Sequence, residues 1–221
     1  MRLIAHRGFA EEAPENTVSA VEHAVAAGAD VVEVDVRRCA SGEVVVHHDE
    51  TIDRVTDGSG RVAEHSFADL QALSVLGSGQ SIPSLAQVLD ALPATVGVNV
   101  ELKETGLAAD VAALLADHEG EAMVSSFQEA ALREMREADP TVPTAYLTDR
   151  FRDCPVSTAS DLGCSFVHPH YRLCLLSRLV ERAHDAGMEV NVWTIRHGAI
   201  ARLLAVRGVD GVTSDRSGIL D

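Results

Sequence analysis

The residues of this chain that could do chemistry fall at the ends of short apolar runs. Glu33 and Asp35 flank Val34, and in a strand that spacing puts both carboxylates on one face while Val32, Val34 and Val36 take the other. Glu101 and Lys103 repeat the spacing around Leu102. Carboxylates side by side need a cation, and three of them with no thiolate or imidazole required describe a site for a hard divalent cation, Mg²⁺ or Ca²⁺. The plainer alternative pairs Glu33 and Asp35 with Arg37 or Arg38 inside an ordinary charged layer, and spacing alone does not choose between them. His6 and His48 are candidate acid and base, because imidazole exchanges protons near neutral pH. His6 gains weight from Arg7, a two-pronged anion clamp, and from Gly8, which permits close backbone approach. Periodicity does not separate His48 from its neighbour His47. His23, His65, His118, His184 and His197 sit in helical or loop patterns and read as solvated surface. Lys103 is the chain's single lysine and suits the neutralising of a phosphate oxygen. Trp193, the single tryptophan, ends another apolar run, as core or as pocket wall.

The elements that must carry these residues alternate. Apolar, β-branched runs predict strands near 2–5, 31–36, 97–102, 122–125, 142–147, 164–168, 188–193 and 209–212. Spacing of i, i+3, i+4 predicts helices over 17–27, 84–92, 107–118, 128–138, 156–161, 175–186 and 197–206, with Gly28, Gly187 and Gly208 as stops. Eight strands alternating with helices in 221 residues fit a closed parallel (β/α)₈ TIM barrel, in one domain over 1–221. The second unit is irregular: 43–46 reads as an extra extended piece, and 51–83 as a short Gly, Ser and Asp-rich insertion. In such a barrel the strands' carboxyl ends carry the catalytic groups, which adds Ser125-Ser126, His168, Thr194 and Thr213-Ser214-Asp215 to the polar residues gathered there.

Composition narrows the partners. The chain is 46% hydrophobic, enough for a packed core, and its 18 basic against 34 acidic side chains give a net charge of −16. That charge argues against nucleic acid and against stable membrane association, so an anionic substrate must be held by local cations. The acid-rich, lysine-poor balance suits a cytoplasm of high ionic strength, where salt screens self-repulsion. Cys39, Cys154, Cys164 and Cys174 form no Cys-x-x-Cys pair and are expected reduced. The start lacks a signal-peptide core and no apolar run reaches membrane-spanning length, so the expected location is cytoplasmic. Nothing in the sequence sets an oligomeric state.

Taken in order, His6-Arg7-Gly8, Pro14-Glu15-Asn16-Thr17, Glu33-Val34-Asp35, His48-Asp49, Ile82-Pro83-Ser84-Leu85, Glu101-Leu102-Lys103, Ser126-Phe127, Val192-Trp193-Thr194 and Asp210-Gly211-Val212-Thr213 resemble the motifs of the glycerophosphodiester phosphodiesterase family. Any one is weak, whereas the ordered set spans nearly the whole chain. The resemblance implies a (β/α)₈ barrel that hydrolyses glycerophosphodiesters to sn-glycerol 3-phosphate and an alcohol with a divalent cation. It implies Glu33, Asp35 and Glu101 as metal ligands, His6 and His48 as acid and base, and Arg7 and Lys103 as phosphate contacts. Glu15 and Asn16 would support these groups, Asn16 also being a possible cap for the first helix together with Thr17. The family's histidine directly precedes Asp, which selects His48. Arg196 stands where the family often has Asn, and Asp215-Arg216-Ser217 replaces its proline-containing ending. Two other readings compete: a phospholipase D or C-like barrel acting on a lipid, disfavoured by 4% aromatic content, and a non-catalytic phosphate-binding barrel, which would need neither histidines nor a triple-acid cluster.

Overall fold

The computed structural model describes residues 1–150 and 154–220. Strands β1 (Arg2–His6), β2 (Val31–Arg38), β4 (Gly97–Leu102), β5 (Ala122–Ser126), β6 (Thr144–Thr148), β7 (Phe166–Pro169), β8 (Glu189–Ile195) and β9 (Gly211–Ser214) are parallel neighbours, and β1 pairs with both β2 and β9, so the sheet closes on itself. This is the expected eight-stranded barrel, and several strands run one or two residues later than periodicity placed them. The extended piece is β3 (Val44–Val46), which adds antiparallel to β2 beyond the barrel proper.

Val32, Val34 and Val36 point outward and are buried under the helices, which is why these strands read as nearly continuous apolar runs. The helices are α1 (Val18–Ala26), α2 (Phe67–Gln71), α3 (Leu85–Ala91), α4 (Ala108–Ala116), α5 (Glu129–Ala138), α6 (Pro155–Leu162), α7 (Tyr171–Leu176), α8 (Leu179–Asp185) and α9 (Gly198–Val206). Gly28, Gly187 and Gly208 have the positive φ of helix stops. Thr17 alone caps α1, accepting from the Ala20 N–H at 3.2 Å; Asn16 is used elsewhere. The single helix expected over 175–186 is two helices, broken at Ser177, whose backbone is extended and whose hydroxyl donates to the Leu173 carbonyl. That side chain supplies the bond a continuing helix would take from a backbone N–H. Inside the barrel, Met123, Ala145 and Phe166 form a small apolar cluster beneath the polar residues described next.

The insertion over 51–83 is more ordered than its composition suggested. Ile52, Val55, Val62, Leu70, Val75 and Ile82 join Cys39 and Val45 in a separate small core, and Ser66 and Asp69 form a capping box at α2. Among the described residues no helix is long and apolar enough to cross a membrane.

Candidate active site

Strand register assembles the site. His6 lies beside Glu33, Glu33 beside Asn99, and Asp35 beside Glu101, because β1, β2 and β4 are consecutive in the closed sheet. Glu33, Asp35 and Glu101 are buried, and each offers an oxygen within 4.8 Å of the others'. Arg37 instead donates to the His48 carbonyl and Glu104, and Arg38 to the Gly42 and Gly106 carbonyls and Asp110, so the plainer pairing is not formed.

Left-handed backbone at Arg7 (φ 52°), Gly8 (78°) and Phe9 (65°) curls the chain sharply after β1. A Cβ at Gly8 would lie 2.6 Å from Ala20, so only glycine fits. The turn aims the Arg7 N–H at Glu33 Oε2 (3.0 Å) and lays the Arg7 guanidinium between Asp35 Oδ2 (Nε at 3.2 Å) and Glu15 Oε1 (Nη1 at 2.9 Å). Asn16, also left-handed, donates to Asp35 Oδ2 at 2.9 Å and accepts from the Asp35 N–H at 3.3 Å. Lys103 reaches Glu101 Oε1 at 2.6 Å and Asp35 Oδ1 at 3.3 Å.

This charge pattern divides the carboxyls. Burial and the neighbouring Asp35 push Glu33 up to about 8, against the pull of His6. Burial acts on Asp35 too, yet Lys103 and Arg7 hold it below the ordinary carboxylate range. Glu101 is raised by burial and Asp35 against the opposing Lys103. Glu33 Oε1 is buried without a hydrogen bond and Asp35 Oδ1 is buried with only the Lys103 ion pair at 3.3 Å, which is costly unless something else binds them. Under-satisfied oxygens within a three-carboxylate cluster are the donor set a hard divalent cation takes, so the residues fit such an ion.

Each candidate histidine is backed by a carboxylate. His6 Nδ1 lies 2.6 Å from Asp215 Oδ1, and His48 Nδ1 lies 2.6 Å from Asp49 Oδ1. A carboxylate only accepts, so Nδ1 carries the hydrogen and Nε2 is left for proton exchange. Burial works against the His6 cation, but the Asp215 bond and Glu33 raise its pKa; burial lowers that of His48. His47 is buried and turned away, its Nε2 at 3.0 Å from the Thr51 carbonyl, whereas His48 lines the cavity described next.

These groups meet in a cavity of about 230 Å³ lined by His6, Arg7, Glu33, His48, Glu101 and Lys103, with Phe127, Leu147 and Trp193 as an apolar wall. Trp193 is therefore wall rather than core: its ring meets Phe127 edge to face at 5.4 Å, and its N–H donates to the His168 carbonyl at 2.8 Å. Asn99 and His168 also line the cavity, and burial pushes His168 down to about 3, keeping it neutral. A larger groove of about 360 Å³ between α3 and α4 holds none of these groups.

Sequence reasoning named Asp215 only as a polar strand end and a departure from pattern, and assigned no role to Asp49, Asn99, Phe127 or His168. For Asp215 the signal was the closure itself: Ala5 pairs with Ser214, so the residues that follow, His6 and Asp215, must meet.

The family model of the glycerophosphoryl diester phosphodiesterase family matches residues 6–219. The protein YhdW of Bacillus subtilis is 33% identical over 97% of this chain and 94% of its own. A glycerophosphodiester phosphodiesterase of Caldanaerobacter subterraneus is 29% identical over 96% of this chain and 93% of its own. Among solved structures, an Oleispira antarctica phosphodiesterase in complex with its product sn-glycerol-3-phosphate superposes with a TM-score of 0.92 at 27% identity, covering 100% of this chain and 95% of that one. Sequence, barrel and acidic cluster agree, and the chain belongs to the glycerophosphoryl diester phosphodiesterase family of phosphoric diester hydrolases.

Proposed function

We propose that this site hydrolyses glycerophosphodiesters to sn-glycerol 3-phosphate and an alcohol, with a divalent cation held by Glu33, Asp35 and Glu101 and with His6 and His48 moving the protons. The observation that carries this reading is the meeting, in one cavity, of two carboxylate-backed histidines with the triple-acid cluster. Simple anion binding requires neither.

A phosphodiester resists attack because its anionic oxygens repel the nucleophile and its leaving alkoxide is a poor one. When bound, the cation supplies positive charge for the oxygens on which charge grows. Arg7 and Lys103 add fixed positive charge on the same side, Arg7 with a planar fork and Lys103 as a compact ammonium. Glu15 and Asn16 hold Arg7 and Asp35 in place. His48, neutral at its lowered pKa, accepts the proton of the attacking hydroxyl as the new P–O bond forms; the attacker is either water, which gives glycerol 3-phosphate directly, or the glycerol 2-hydroxyl, which gives a cyclic phosphate that water then opens. His6, whose cation Asp215 favours, donates its Nε2 proton to the departing oxygen as the P–O bond to the alcohol breaks. The apolar wall of Phe127 and Trp193 supports the carbon skeleton of the substrate.

The test follows release of glycerol 3-phosphate from glycerophosphocholine and glycerophosphoethanolamine with EDTA, Mg²⁺ or Ca²⁺. Cation-dependent release is expected. Release unaffected by EDTA overturns the metal assignment, and turnover only of lipid phosphodiesters overturns the substrate class.

A further inference from the structure

The insertion after β3 touches the proposed machinery through Arg54, a residue without a part in the steps above. Its backbone is fixed from both sides. Ile52 and Val55 are buried in the insertion's own core, the Ile52 N–H donates to the Gly60 carbonyl at 3.0 Å, and the Leu76 N–H donates to the Val55 carbonyl at 2.7 Å. With its neighbours turned inward, Arg54 is turned outward over the mouth of the barrel, and its guanidinium uses three donors there. Nη1 and Nη2 grip Glu15 at 2.9 and 2.8 Å, and Nε donates to Asp49 Oδ2.

Both acceptors lead inward. Glu15 Oε1 also accepts from Arg7 Nη1 at 2.9 Å, and Asp49 Oδ1 receives His48 Nδ1 at 2.6 Å. One side chain thus ties the anion clamp, which follows β1, to the imidazole, which follows β3. Glu15 and Asp49 come from separate loops, and Arg54 binds both.

We infer that Arg54 is a positioning residue for the reaction proposed above, setting through Asp49 the orientation of His48 and through Glu15 that of Arg7, so that the insertion serves as the support that aligns base and phosphate clamp. The inference rests on that reading of the site. A lysine cannot reproduce the contact, because an ammonium has no planar fork to span two carboxylates.

The experiment measures kcat and KM for glycerophosphocholine with saturating cation in the wild type, Arg54→Met, Arg54→Lys, Asp49→Asn and the Arg54→Met/Asp49→Asn double variant, each checked for folding by thermal melting. Arg61→Met is the control, since Arg61 lies in the same insertion and pairs with the exposed Glu50. Arg54→Met is expected to lower kcat about 10–100-fold and to raise KM, the range found when residues supporting an active-site ligand are lost. Arg54→Lys, which keeps charge and stem and carries the test if the methionine variant does not fold, recovers only part of this. In the Asp49→Asn background the kcat effect of Arg54→Met shrinks, because both changes remove the same link. A purely structural role predicts fold losses that simply multiply in the double variant, and that result overturns the inference, as does wild-type kcat and KM in Arg54→Met or Arg54→Lys. An inactive wild type overturns the functional reading itself, which separates the two failures.

Discussion

Replacing Asp215 by Asn tests the proton chemistry with little change of shape. The Asp215 side chain is 8% exposed and that of His6 21%, and their bond is 2.6 Å long. A hydrogen bond between charged groups contributes about 1.5–3 kcal/mol, so losing the carboxylate weakens the hold on the His6 cation by about that much and lowers its pKa. Burial and Arg7, which already oppose the His6 cation, then act with less resistance. The limb of the pH–rate profile that reports His6 moves to lower pH, and this direction holds whether His6 serves as acid or as base. With His6 as acid, kcat above the new pKa falls about 10–100-fold, following the protonated fraction.

Stability changes in step. The raised pKa of His6 makes its share of the pair's stabilisation complete below the ordinary value of 6.5, and lost as pH rises through the folded value. Asp215 is lowered, so its share is complete above the ordinary 3.8 and lost as pH falls through the folded value. Melting in EDTA should therefore separate Asp215→Asn from wild type most between about pH 4 and 6.5, and less outside that window. Profiles of kcat against pH and melting curves at pH 5.5 and 8.5 are the assays. A folded variant whose profile superposes on that of the wild type refutes the assignment of Asp215 to His6 and of His6 to the chemistry.

Other expectations can be checked with the same preparations. His6→Ala and His48→Ala should each lose about 10²–10⁴-fold in kcat while melting as folded proteins; near-normal turnover in either removes that residue from the mechanism. Glu33, pushed up to about 8, is largely protonated at pH 7 before a cation binds, so binding must expel a proton and affinity for Mg²⁺ or Ca²⁺ should rise with pH up to about 8. Calorimetry in buffers of different ionisation heat reads that proton, and its absence contradicts the assignment. Glu33→Gln should melt near wild type in EDTA yet lose the stabilisation the cation confers. The net charge of −16 predicts rising melting temperature with KCl through screened self-repulsion, and greatest stability in dilute buffer would sink the idea of salt adaptation.

Much of this architecture was legible because its signals are local. A valine-rich strand buried on both faces announces itself, and so does a glycine at positive φ behind a helix, as at Gly28 or Gly208. The i, i+2 spacing of Glu33 and Asp35 put both carboxylates into the barrel, as the register confirms. The unread parts depend on closure or on a side chain competing with the backbone. Asp215 matters through a neighbour 209 positions away in sequence, and no periodicity reports that distance. Ser177 interrupts a helix whose apolar spacing continues on either side, because its hydroxyl takes the Leu173 carbonyl. The insertion looked irregular because its small core draws on Cys39 and Val45 outside it, so no single segment displays the pattern.

Charge bookkeeping across the site explains how an acidic protein can hold an anionic substrate. Without a cation, Asp35 and Glu101 face Arg7 and Lys103 while Glu33 is held largely neutral at pH 7. Both positive side chains are then engaged by carboxylates, and the field of a chain of charge −16 works against a phosphodiester's approach. A divalent cation held by Glu33, Asp35 and Glu101 would add two positive charges while displacing the Glu33 proton, shifting the site toward the positive charge that an anionic substrate needs. The carboxylates that restrain Arg7 and Lys103 would then have a stronger partner, which would leave both side chains freer to face a phosphate. On the proposed reading the cation would therefore bind before the diester. Lys103, the one lysine in the chain, stands between two of the three acids, where a compact ammonium can exchange a carboxylate for a phosphate oxygen without giving up a planar fork.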